Sequence, residues 1–399
     1  MKYCFAKLCA TDSHKIGTTR PWLGWLVVCT CVLYTAFVVR RSSLGDEFLK
    51  GDCVYYKAVV VSLVEDRDFL VANNISANPL DGQLALGRKG LVPKHPILMP
   101  IVSIPFYIFY GDRGLLLFNI VACIVLMVLI FKINCFFANC KISFITTLLY
   151  AAGTLFLEYS YNYSPDIFST VLLLWGIYLV LRGNLWAGAF ILGLSVFAKV
   201  TNAPLVIIII TCAIIWIYRG NFGDNEIKKA QLNNHLTVIG IIIAFVISLI
   251  PFAAMNFILF GSPFVTGYQR MAIADSISGH TAVINHLHKF NQPFFRGVLR
   301  LIADPNIGIF TTNPIVILSL PGTFLIRRMS NRRVAYLLLL VCFVQLLIFA
   351  KYDDIYASHY SNRFMMTFVA LSSVFAAAFL DYIRTRLLAG RMTPRILCW

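Results

Sequence analysis

The sequence predicts an all-α polytopic membrane protein of about ten transmembrane helices, with a long extracytoplasmic first loop that carries interfacial helices. Three observations lead there. First, the 399 residues are 59% hydrophobic and only 13% charged, with a mean hydropathy of +0.77. A soluble domain carries about 25% charged residues. Second, apolar runs recur along the whole length without the period-two alternation of a membrane barrel, and about 20 apolar residues cross a bilayer as a helix. Third, basic residues gather at the ends of those runs, as orientation determinants do.

In chain order the expected spans are 22–39, 115–131, 142–158, 165–181, 184–198, 203–218, 236–259, 308–326, 334–350 and 364–383. The segment 1–21, with Lys2, Lys7, Lys15 and Arg20, is placed in the cytoplasm. It is a long basic stretch with no small-x-small cleavage site after the first apolar run, so that run is expected to be a retained span rather than a signal. The following cytoplasmic turns then hold Lys132 and Lys141, Arg182, Arg219 with Lys228 and Lys229, and Arg327, Arg328, Arg332 and Arg333. The tail 384–399 holds Arg384, Arg386, Arg391 and Arg395. Every inner segment is basic, as the positive-inside rule requires, and Arg40 and Arg41 are the main exception. Only Asp12, Asp224, Glu226 and Asp381 oppose that sign.

This scheme requires the run 97–110, ILMPIVSIPFYIFY, to stay on one side as a re-entrant or interfacial helix. It is short and contains Pro100 and Pro105 after Pro96, and proline removes helix hydrogen bonds. The outer face then carries the loop 40–114, the turn 159–164, the loop 260–307 and the turn 351–363. No internal repeat or linker appears, so residues 1–399 are expected to form a single domain with no soluble C-terminal domain.

The net charge of +16 does not imply nucleic-acid binding, because no basic stripe with interleaved aromatics lies on a soluble domain. The eleven cysteines form neither a disulfide framework nor a zinc pattern; several, such as Cys29, Cys31, Cys123 and Cys342, fall inside expected spans. The acids are distributed differently. Of the 18 Asp and Glu residues, fourteen fall on the expected outer side, eight of them in the loop 40–114. Acids gathered on one face of a many-span protein suggest a chemical site there.

Three outer regions carry motifs. The first loop holds Gly51-Asp52-Cys53-Val54-Tyr55-Tyr56, then Ser62-Leu63-Val64-Glu65-Asp66-Arg67-Asp68, then Gly90-Leu91-Val92-Pro93-Lys94-His95-Pro96. The end of the seventh span leads into Asn256 and Phe260-Gly261-Ser262-Pro263-Phe264, then Thr266-Gly267-Tyr268. Before the last span sits His359-Tyr360-Ser361-Asn362-Arg363-Phe364. In this order the motifs resemble the GT-C superfamily, integral-membrane glycosyltransferases that use polyprenyl-phosphate sugars, of the mannosyltransferase and aminoarabinose transferase type. The likeness covers roughly residues 20 to 383. Cys53 stands where the family often has a second acid, and His95-Pro96-Ile97 where it often has His-Pro-Pro.

The resemblance implies transfer of a hexosyl or pentosyl group from a polyprenyl-phosphate-linked sugar to an extracytoplasmic acceptor (a glycan, lipid or protein), in the cell inner or plasma membrane. It places the catalytic acid at Asp52 and a second acid at Asp166; as ordinary residues these would be a helix N-cap and a first-turn acid behind Pro165. Lys94, His95, Arg270 and Arg363 are the candidates for the donor phosphate, with Arg88 and Lys89 behind them. Guanidinium matches phosphate two-pronged and Lys offers a compact charge, although anionic headgroups attract the same residues. Tyr55, Tyr56 and Tyr268 are candidates for substrate contact. Glu65, Asp66 and Asp68 leave room for a divalent cation, yet a solvated face is the simpler reading, and no tightly bound metal or cofactor is expected. Glu158 is a candidate neighbour of the site, with a solvated interfacial acid the simpler reading, and Asn74-Ile75-Ser76 fits the glycosylation pattern. A transporter or flippase of lipid-linked sugars, or a catalytically silent subunit of the same fold, are the alternative functions.

Overall fold

The computed structural model describes residues 12–76, 80–219, 229–274, 281–329, 331–353 and 361–388. Lys2, Lys7, Asp224, Glu226, Lys228, His359, Tyr360, Arg391 and Arg395 lie outside the described residues.

The chain begins with α1 (Asp12–Ser43), followed by the short α2 (Asp52–Val61), a hairpin of β1 (Asp81–Leu86) and β2 (Leu91–Pro93), and α3 (Leu98–Tyr110). The bundle continues with α4 (Asp112–Asn134), α5 (Cys140–Gly153), α6 (Leu155–Tyr159), α7 (Pro165–Leu181), α8 (Leu185–Ala198), α9 (Ala203–Tyr218) and α10 (Lys229–Phe260). An outer excursion follows: β3 (Met271–Ala274), β4 (Thr281–Ile284) and α11 (Phe294–Ala303). The chain then returns through α12 (Ile309–Thr312), α13 (Ser319–Phe324), α14 (Arg332–Ala350) and α15 (Met366–Leu388).

Each expected span coincides with helical structure, but only six helices among the described residues are long and apolar enough to cross a membrane: Thr19–Ser43, Asp112–Asn134, Val200–Tyr218, Asn234–Phe260, Arg332–Ala350 and Arg363–Leu388. The expected 142–158 is broken at Thr154, whose extended backbone and side-chain cap start α6 afresh. The expected 308–326 is not one helix. Pro314 opens a 3-10 turn, Pro314–Leu318, between α12 and α13, because proline cannot donate to a preceding helical turn. The helices α7 and α8 are continuous but short, at 17 and 14 residues. The protein is an integral membrane protein, with six helices that meet the length and composition of a span and several shorter apolar helices beside them.

The sheet was not expected from an all-α reading. Its order is β2-β1-β3-β4, all antiparallel, so it joins the first loop to the loop after α10. Strands β3 and β4 are only four residues each, too short for alternation to stand out from flanking loop. The sheet also constrains topology. Strands β1 and β3 are hydrogen-bonded, so they lie on one side of the membrane and an even number of crossings separates them. The six expected spans from 115–131 to 236–259 satisfy this. A seventh crossing by 97–110 would not, and α3 is in fact a 13-residue helix, about 20 Å long, short of the ~30 Å hydrocarbon core.

The main core lies between α4, α5, α7, α8, α9, α14 and α15, where residues such as Leu126, Phe156, Leu173, Leu205, Val341 and Phe375 are fully or nearly fully enclosed. The helix α10 is the opposite case. Leu236, Ile239, Ile243, Val246, Ile250 and Phe257 recur every three to four residues on an exposed face, as expected where the solvent is acyl chain. A smaller core of Ala58, Val59, Leu84, Ala85, Val92, Met255 and Leu259 seats the sheet on α2 and the end of α10. At Gly322 a methyl group would meet the Phe375 carbonyl oxygen at 2.0 Å, so only glycine lets α13 approach α15 this closely.

Arg41, the exception to the charge rule, is neutralised where it stands. Its guanidinium pairs with Asp46 at 3.0 Å and Glu158 at 2.8 Å, tying the end of α1 to α6.

Candidate active site

The turn after α6 positions the site. The Tyr161 hydroxyl donates to the Asp46 carbonyl at 2.5 Å, Asn162 Oδ1 accepts from the Cys53 thiol, and the Tyr163 hydroxyl meets Ser103 at 2.6 Å. These three contacts clamp the first loop onto the bundle just before α7 begins. As a result Asp52, at the start of α2, and Asp166, at the start of α7, face the same small volume.

Gly51 takes the cap position of α2 without a side-chain hydrogen bond, so the Asp52 carboxylate is not occupied as a helix cap. It pairs instead with Arg363. Asp166 sits where a first-turn acid is expected, behind Pro165 and the Ser164 cap. It also accepts from Lys199 at 2.5 Å and from the Ser164 hydroxyl at 2.7 Å, with Arg363 Nε at 3.8 Å. The result is an alternating chain of charges, Asp52, Arg363, Asp166, Lys199, drawn from four distant parts of the sequence. Burial pushes the Asp52 carboxyl up, but the Arg363 guanidinium and the other nearby cations outweigh it and lower it to about 2.

Sequence reasoning did not place Lys199 in the site. The signal was present: a lone ammonium between two long apolar runs must find a counter-charge. Besides Asp166, its Nζ lies 5.8 Å and 5.3 Å from the ring centroids of Phe349 and Phe364.

Beside this cluster lies the Lys94-His95 segment. Lys94 is buried, its ammonium donating to the Gly82 carbonyl at 2.8 Å and Gln83 Oε1 at 2.7 Å. The His95 ring stacks on Tyr56 at 5.2 Å and meets Tyr268 edge-on at 5.4 Å, with its Nδ1 3.0 Å from the Tyr268 hydroxyl. A methyl group on Gly267 would come within 2.4 Å of the Lys94 carbonyl oxygen, so this glycine brings Tyr268 against His95. Burial and the Lys94 charge lower the His95 imidazole to about 3, so it is neutral.

Lys94 and His95 line two small cavities of about 10 Å³ each. One is lined by Tyr55, Tyr56, Gln83 and Leu84. The other lies against α10 and is lined by apolar Val200, Phe252, Met255 and Phe260 together with polar Lys94, His95, Asn256 and Thr266.

The remaining expected residues lie elsewhere. Arg270 is not gathered into the cluster; its Nε donates to the Leu86 carbonyl at 2.9 Å beside the sheet. The Tyr55 hydroxyl donates to Asp81. Arg88 and Lys89 are exposed at the tip of the β1–β2 hairpin. Glu158 is taken by Arg41. Glu65 accepts from Tyr107, Asp66 from Asn73 and Asn74, and Asp68 from Ser62 and the Leu70 amide, so that acidic run is dispersed over local partners. Among the described residues no three His, Cys, Asp or Glu groups are arranged to hold a metal ion.

No family model and no curated protein matches the sequence. Solved structures match the fold along nearly all of the chain. ArnT from Cupriavidus metallidurans bound to undecaprenyl phosphate superposes with a TM-score of 0.59 at 12% identity, over 94% of this chain and 61% of that one. The Archaeoglobus fulgidus oligosaccharyltransferase in complex with Zn and sulfate gives a TM-score of 0.57 at 12% identity, over 92% of this chain and 50% of that one. AglB from the same organism, in complex with an inhibitory peptide and a dolichol-phosphate, gives 0.51 at 11% identity, over 93% of this chain and 51% of that one. The chain thus spans about three fifths to half of the length of these proteins, and at these identities the likeness is one of fold. That fold is the GT-C fold.

Proposed function

We propose that this chain is a membrane glycosyltransferase that moves a sugar from a polyprenyl-phosphate donor to an extracytoplasmic acceptor. The observation that carries the proposal is the convergence of Asp52 and Asp166 on one guanidinium, Arg363, beside a small cavity lined by both polar and apolar side chains. Such a mixed lining suits an amphiphile with an anionic head. Undecaprenyl phosphate in ArnT and dolichol-phosphate in AglB are ligands of that class bound by proteins of the same fold.

In the proposed reaction the acceptor heteroatom forms a bond to the anomeric carbon while the bond from that carbon to the phosphate oxygen breaks. Asp52 takes the acceptor proton, and the electron pair leaves with the polyprenyl phosphate, whose charge Arg363 and Lys94 compensate. Asp166, held by Lys199, keeps Arg363 in place and faces the sugar. A carboxylate lowered to about 2 is a weak base, so Asp52 works as one only when Arg363 turns toward the phosphate and releases it. The acceptor approaches from the cavity beside Tyr55 and Tyr56. Arg270 contributes by fixing the sheet that holds Lys94.

A divalent cation is known in the oligosaccharyltransferase structure with Zn. Here the two carboxylates that would face it are already compensated by Arg363 and Lys199, so the donor set does not fit a resident ion, and no step is routed through one.

The test is the purified protein in nanodiscs with a panel of radiolabelled polyprenyl-phosphate sugars and membrane extract as acceptor. Wild type should remove sugar from the lipid, and Asp52→Asn should slow this by about 10²- to 10⁴-fold while remaining folded in detergent. Saturable donor binding with no turnover by wild type would return the transporter or silent-subunit reading.

A further inference from the structure

The His95 ring is held by two tyrosines, and one of its nitrogens has no partner among the described residues. Tyr56 stacks on its face, and Tyr268 meets its edge with the hydroxyl 3.0 Å from Nδ1. Its other nitrogen, Nε2, is enclosed by protein and has no hydrogen-bond partner among the described residues. Buried ring nitrogens are ordinarily paired, so an unpaired one on a cavity-lining residue calls for a partner.

The protonation pattern follows from counting donors. Burial pushes the Tyr268 phenol up, so its hydroxyl carries a proton and needs an acceptor. Among its described contacts His95 Nδ1 is that acceptor. A neutral imidazole that accepts at Nδ1 carries its proton at Nε2. The unpaired position is therefore an N–H donor on a residue that lines both cavities together with the buried Lys94. A neutral donor next to a fixed cation suits an anionic oxygen. The apolar residues in the same lining, Val200, Phe252 and Met255, suit a chain attached to it.

We propose that His95 Nε2–H donates a hydrogen bond directly to a phosphate oxygen of the lipid carrier, and that Tyr268 is the positioning residue that fixes the tautomer. The carrier's identity as a lipid phosphate rests on the glycosyltransferase reading above; the tautomer does not.

The two amide replacements separate the nitrogens. In His95→Gln the side-chain amide reaches the Nε2 position, whereas in His95→Asn it reaches that of Nδ1. The probe is farnesyl phosphate, titrated against full-length protein in nanodiscs. Wild type and His95→Gln should bind within about 3-fold of each other, and His95→Asn should lose about 10- to 100-fold, the range of a hydrogen bond to a charged group. Tyr268→Phe should weaken binding and, in the ¹⁵N spectrum of labelled histidine, move His95 from a single Nε2-protonated form to a mixture. Thermal unfolding of each variant reports whether it is folded, and the wild-type spectrum needs no variant.

Equal affinity of wild type, His95→Gln and His95→Asn overturns the proposal and leaves the lipid-phosphate reading standing. A wild-type spectrum with the proton on Nδ1 also overturns it. Folded wild type that does not bind farnesyl phosphate overturns both.

Discussion

At the scale of single residues, the arrangement predicts a particular pH behaviour. In the free protein Asp52 is paired with Arg363 and lowered to about 2; in the complex proposed here Arg363 turns to the phosphate and Asp52 loses that counter-charge. The acid limb of kcat/KM reports the free protein and that of kcat the complex, so the kcat limb should lie about one to three pH units higher. Coincident limbs would mean that Arg363 never leaves Asp52. The same pairing bears on stability. The folded carboxyl lies below its ordinary 3.8, so its contribution is present above that value and is lost as pH falls from there through about 2. The motifs of the resemblance singled out Asp52, Asp166 and Arg363 in the sequence, and the fold brings these three side chains together. Arg270 illustrates the limit. Its position in a loop motif is visible, but its hydrogen bond to a strand of the first loop depends on a sheet that four-residue strands do not announce.

At the scale of elements, the helices were readable because 20 or so apolar residues leave few alternatives in a bilayer, and the expected 165–181 and 203–218 coincide with α7 and α9. The expected 308–326 failed because hydropathy does not weigh proline. Pro314 leaves the run apolar while opening the 3-10 turn that separates α12 from α13. What fixes α13 is its approach to α15 at Gly322, where a methyl group has no room. Gly322→Ala should therefore destabilise the protein by about 1–3 kcal/mol, the cost of overpacking. A lower unfolding midpoint in detergent would register it; an unchanged midpoint would show that the two elements separate easily.

At the scale of the whole molecule, the sheet fixes relative sidedness, since residues 81–93 and 271–284 cannot pair across a bilayer. Cysteines introduced as Arg88→Cys and Leu287→Cys, both at exposed positions, should react with an impermeant maleimide from the same side of sealed vesicles. Labelling from opposite sides would dismantle the topology described here. The charge chain also has an order in time. Asp52, Asp166 and Lys199 all precede Arg363, which introduces the last long helix, Arg363–Leu388. A nascent chain inserted only as far as α14 therefore carries two acids against one base in a pocket that excludes water. Arrival of Arg363 balances that charge and joins the first loop to α15. Insertion of α15 and completion of the site are then one event, and a chain terminated before Arg363 would be both unstable and inert.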